Sequence, residues 1–61
     1  METIKEVLMR RDNMDEASAD ALIKEAKIEF NWLIAHGNFD EAEEICYTFF
    51  GLEPDYIMEL I

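Results

Sequence analysis

With two glycines, one proline, one cysteine and one histidine in 61 residues, the chain is poor in the residues that make turns, staples and reactive sites. A lone cysteine excludes an internal disulfide, and the lack of a Cys/His cluster excludes a structural zinc, so the two usual supports of a mini-protein are missing. No apolar run reaches the length of a signal peptide or a membrane span, and a charged, periodic segment follows Met1 directly. The expectation is a soluble, cytoplasmic protein without membrane contact. Positive charge is the largest absence: all five lysines and arginines lie at or before Lys27, and residues 28–61 carry eight acids and no fixed cation. A net charge of −10 opposes direct nucleic-acid binding, because phosphates are held by Lys and Arg, and it opposes adsorption to anionic lipid.

What is present is apolar. A hydrophobic share of 51%, including four Phe, two Tyr and one Trp, departs from disordered composition. So short a chain buries only about 60% of its unfolded surface, which leaves room for one core. One helical domain over residues 1–61 is expected, an all-α compact bundle of three main helices plus a short C-terminal helix.

Periodicity and punctuation place the helices. Thr3 and Glu6 form a capping-box pair ahead of Ile4, Val7 and Leu8, and this first helix ends near Arg11, with Glu6 and Arg10 spaced for an i, i+4 ion pair. Asp12-Asn13 supplies a turn, asparagine tolerating the left-handed region. Asp15 caps a long central helix over about residues 16–36, which Gly37 stops. Its side chains form two apolar stripes. Ala19, Leu22, Ile23, Ala26, Phe30, Leu33 and Ile34 make one, while Ala17, Ala21, Ile28, Trp32 and Ala35 make a second on nearly the opposite side. Two such faces are expected to be packed on both sides; the alternative is that Ile28 and Trp32 form an exposed docking or dimer patch. Asn38 and Glu41 repeat the capping-box spacing, opening a third helix to Gly51 whose Ala42, Ile45, Cys46, Phe49 and Phe50 face inward. Pro54 starts a last short helix with Ile57, Leu60 and Ile61 inward.

No constellation carries chemistry. His36 stands beside the helix-ending Gly37 with no nucleophile paired to it in the sequence, and Cys46 falls in an apolar face with no neighbouring cation to activate a thiolate. Asp40, Glu41, Glu43 and Glu44 suggest oxygen ligands for a cation, yet on a helix they spread around an arc, and the Asp12-Asn13-Met14-Asp15-Glu16 turn lacks the glycine and distant glutamate of an EF-hand loop. No catalytic residue, cofactor or metal is assigned, and an enzyme is not expected.

The segments Val7-Leu8-Met9-Arg10-Arg11-Asp12, Glu41-Ala42-Glu43-Glu44-Ile45 and above all Gly51-Leu52-Glu53-Pro54-Asp55-Tyr56 resemble a family of small acidic proteins encoded by phages and prophages of Gram-positive bacteria. The resemblance spans nearly the whole chain, with Asn13 standing where members of that family often have glycine. It implies a phage-related setting in the bacterial host cytoplasm and assigns no binding residue.

The function expected is a non-enzymatic interaction module that binds a host or phage protein with a basic surface. Its candidate contact residues are Asp40, Glu41, Glu44, Tyr47, Asp55 and Glu59, acids that steer a cationic partner around an aromatic that supplies desolvated contact. The alternative is a DNA mimic whose carboxylates stand in for phosphates and inhibit a nucleic-acid-binding protein. A homodimer through Ile28 and Trp32 is a separate expectation.

Overall fold

The computed structural model describes residues 2–61; Met1, where the expected domain begins, lies outside them. Thr3 opens α1 (Ile4–Arg11): its hydroxyl accepts the Glu6 N–H at 3.1 Å, and the Glu6 carboxylate accepts the Thr3 N–H at 2.9 Å, completing the expected capping box. That engagement removes the expected Glu6–Arg10 pair. Arg10 instead makes a two-pronged contact with Glu2, both bonds 2.7 Å long. Asn13 adopts a φ of 56°, the left-handed turn its side chain tolerates.

Asp15 caps α2 (Glu16–Ala35), accepting the Ser18 N–H at 2.8 Å. The helix closes in a Schellman arrangement: Gly37 at φ 75° donates to the Ile34 carbonyl at 3.1 Å, and Asn38 donates to the Leu33 carbonyl at 2.8 Å. This ending has a consequence for the next helix. A capping box at Asn38 needs its N–H for the Glu41 carboxylate, but that donor already serves Leu33, and the Asn38 side chain makes no cap either, so α3 (Phe39–Glu43) starts without the expected box.

The expected third helix is broken in two. Glu44 tightens the chain, its N–H reaching the Glu41 carbonyl at 3.1 Å, and α4 (Ile45–Phe50) follows to Gly51 at φ 65°. Asp40–Glu43, Asp40–Glu44 and Glu41–Glu44 are like-charge pairs at helical spacing, each opposing a regular helix by roughly 0.2–0.5 kcal/mol. The β-branched and aromatic run after Glu44 has little helix propensity to offset them.

After Pro54 the chain forms a 3-10 helix (Pro54–Glu59) in place of an α-helical turn. Residues three apart eclipse in this geometry, so Ile57 and Leu60 share the inward edge, with Leu60 1% exposed. Ile61, expected inward, is turned away and 82% exposed.

The architecture is an all-α bundle around the long α2. α1, α3 and α4 pack on α2, and the 3-10 helix packs on α4. Ile4, Leu8, Ala19, Ala26, Phe30, Leu33, Ala42, Ile45, Cys46, Phe50 and Leu60 form one buried cluster drawing on α1 through α4 and the chain end. α1, α3 and α4 dock on α2, whose Ala19, Ala26, Phe30 and Leu33 join the buried cluster. The second stripe, expected to be covered, is open: Ile28 and Trp32 are 61% and 51% exposed, flanked by exposed Ala17, Ala21 and Ala35. The reason is area, since three of its five apolar residues are alanines and the few short helices bury more surface against Phe30 and Leu33.

Candidate interaction surface

The break at Glu44 shapes the surface on the α3–α4 side. An open groove of about 460 Å³ runs between α2 and the broken helix, with Leu33, Ile45 and Phe49 in its lining and Glu29, Glu41 and Glu44 among them. A second depression of about 530 Å³ follows α4 to the proline turn, lined by Glu43, Glu44, Tyr47, Leu52, Glu53 and Pro54. Glu44 borders both. Tyr47 is 74% exposed, so its ring projects beside Glu43, Glu44 and Glu53 with most of its surface free. Apolar surface ringed by carboxylates, with an aromatic ring standing out of it, matches a cationic segment that also carries an apolar side chain.

Among the described residues, ion pairing is confined to the other end of the chain. Lys5 pairs with Glu16 and Asp20 at 2.8 and 3.2 Å, Arg10 with Glu2 at 2.7 Å and Arg11 with Asp12 at 2.8 Å. Arg11 also donates to the Phe50 carbonyl, which links α1 to the end of α4. Among the described residues, none of the eight acids beyond Lys27 meets a cation, and Lys24 and Lys27 meet no acid.

The six candidate contact residues do not form one patch. Glu41 and Glu44 meet in the first groove, and Glu44 and Tyr47 in the second. Asp55 lies farther along, beside Glu43, Ile57 and Met58. Asp40 is exposed at the start of α3 and lines neither groove. Glu59 is reassigned: its carboxylate accepts the Ile4 N–H at 3.0 Å and closes the start of α1. In exchange, the structure brings in Glu29, Glu43 and Glu53. Glu29 could not be found from the sequence, because its groove exists only once α2 and α4 have packed; Glu53 carried a weak signal, its place beside the helix-starting Pro54.

Trp32 and His36 lie one turn apart on the outside of α2, ring centroids 4.0 Å apart in an edge-to-face arrangement. Cys46 is fully buried, and burial first, then the negative charge of Glu59, raises its thiol above the ordinary value. Among the described residues no three acidic, histidine or cysteine side chains converge to hold a metal ion, and no helix is long and apolar enough to cross a membrane. No protein-family model, curated protein or solved structure matches the chain.

Proposed function

We propose that the protein is a non-enzymatic interaction module whose α3–α4 side binds a protein segment bearing lysine or arginine together with an apolar side chain. The observation that carries this reading is the group Glu29, Glu41, Glu43, Glu44 and Glu53, which meet no cation among the described residues and line apolar grooves beside the projecting Tyr47. Glu41 and Glu44 steer and orient the cationic groups; Tyr47 supplies the contact that excludes water. The resemblance to small acidic phage and prophage proteins supports a host or phage protein in the bacterial cytoplasm as the partner.

Affinity capture from host lysate tests the proposal when wild type is compared with a Glu41→Gln/Glu44→Gln/Tyr47→Ala variant, all three residues being exposed and outside the core. A specific partner retained by wild type, lost from the variant and released by salt is the expected result. Undiminished capture by the variant would sink the assignment of this surface. Displacement of the partner by duplex DNA would identify the acids as phosphate surrogates, the mechanism of a DNA mimic.

A further inference from the structure

The outer face of α2 has different electrostatics from the surface just described. We propose that it is a self-association surface, at which two copies pack with their α2 helices side by side and parallel about a two-fold axis along the helices. Ile28 and Trp32 give the face its apolar area, and the exposed Ala17, Ala21 and Ala35 allow close approach of a second helix. Although the chain carries a net charge of −10, residues 24–35 contain two lysines and two glutamates, +2 − 2 = 0. The large residues of the stripe, Ile28 and Trp32, therefore lie in a neutral half-helix of a strongly negative molecule, while Ala17 and Ala21 lie in the first half beside Glu16 and Asp20, both already paired with Lys5. The lysines of the neutral half, Lys24 and Lys27, are also the two cations that make no ion pair among the described residues.

Charge position selects the direction of packing. On the helical projection Lys24 and Lys27, with Asn31 and an Asp20 already paired with Lys5, border one margin of the stripe, and Glu25 and Glu29, with Ser18 and His36, border the other. Antiparallel helices related by a two-fold axis bring like margins together, lysine against lysine and glutamate against glutamate. Parallel helices bring each lysine margin against the glutamate margin of the second copy, with Lys24 of each copy facing Glu29 of the other, as flanking residues pair across two-stranded helices. The strip along one α2 is narrower than a standard interface of roughly 800 Å² per partner, so the dimer is a weak one. Long-range repulsion between the two negative molecules makes it tighter at about 0.15 M salt than at about 0.01 M.

Sedimentation equilibrium of the full chain at about 0.15 M salt, from about 10 µM to about 1 mM, the range in which a weak dimer forms, tests the proposal. Wild type is expected to pass from monomer to dimer, and Ile28→Glu to remain monomeric with unchanged helicity, Ile28 being outside the core. Glu29→Lys is the informative variant: it changes the net charge from −10 to −8, which would tighten any dimer governed by total charge, yet the parallel pairing requires it to weaken at least fivefold. Lys24→Glu is expected to weaken likewise, and the double exchange Lys24→Glu/Glu29→Lys to recover the wild-type constant. A wild-type monomer throughout, a dimer unaffected by Ile28→Glu, or one tightened by Glu29→Lys would each overturn the proposal. None of these residues except Glu29 borders the α3–α4 grooves, so partner capture by Ile28→Glu and Lys24→Glu separates a failure here from a failure of the proposed function.

Discussion

The Glu59 carboxylate accepts the backbone N–H of Ile4 at 3.0 Å, with its second oxygen at 3.3 Å, and so joins the two ends of the chain. Ile4 and the neighbouring Leu60 both belong to the buried cluster, 0% and 1% exposed, so the bond lies where the two termini enter the core. The first N–H groups of a helix have no partner within it, and Glu59 supplies one from a distant turn while Thr3 supplies another locally. Glu59→Ala is expected to lower stability by about 1 kcal/mol, the typical loss of a helix cap, and the melting temperature by roughly 4–8 °C. Glu59→Gln keeps an acceptor oxygen and should avoid much of that loss. Thermal unfolding followed by far-ultraviolet circular dichroism measures both, and an unchanged midpoint for the alanine variant would remove Glu59 from this role.

Asn13 sets the angle between α1 and α2 through its positive φ of 56°. The turn is tied down on both sides, Asp12 and Met14 each donating to the Leu8 carbonyl at 3.1 and 3.3 Å. A β-carbon without a compensating polar group is disfavoured in this region by roughly 1–2 kcal/mol, whereas glycine meets no such penalty. Asn13→Ala is accordingly expected to lose about 1 kcal/mol in urea unfolding, and Asn13→Gly to match wild type within about 0.5 kcal/mol. Equal stability of the alanine variant would show that the turn relaxes to another conformation.

The helix signals read from sequence were those whose physics is complete within a few residues. Thr3 with Glu6, Asp15, Gly37, Gly51 and Pro54 each act on their own turn, and each stands where a helix starts or stops. Errors arose where two signals needed one group. Glu6 closes a capping box and so is not available to Arg10; the Asn38 N–H finishes α2 and so is not available to the Glu41 carboxylate. The short C-terminal helix starts at Pro54 as expected, but the same apolar spacing has different inward edges at α-helical and 3-10 pitch, which decides between Ile61 inside and Ile61 outside. The site was least legible. Acidity and the exposure of Tyr47 follow from helix projection, but the meeting of Glu29 with Glu41 and Glu44, and the engagement of Glu59 by Ile4, depend on packing between segments far apart in sequence.

Acid sensitivity should trace to the first fifteen residues. Glu6 is held below its ordinary value of 4.5 by the Thr3 backbone and side chain, and Glu2 by its hydrogen bond to Arg10. Asp15 is held below 3.8 by its hydrogen bonds to Ser18, and Asp12 by Arg11. A carboxylate depressed in the folded state binds fewer protons there than in the unfolded chain, so its contribution is complete above the ordinary value and is lost as pH falls through the depressed one. The loss should therefore begin below pH 4.5 for the two glutamates and below 3.8 for the two aspartates. The charge of −10 acts in the opposite sense, since acid relieves self-repulsion, and wild-type data alone mix the two effects. The Glu6→Gln/Asp15→Asn variant separates them: both amides still accept their capping hydrogen bonds and neither titrates. Urea unfolding at intervals from pH 7 to pH 3 is expected to give a shallower fall in stability below pH 4.5 for the variant than for wild type. Parallel curves would assign the acid sensitivity to groups other than these two helix caps.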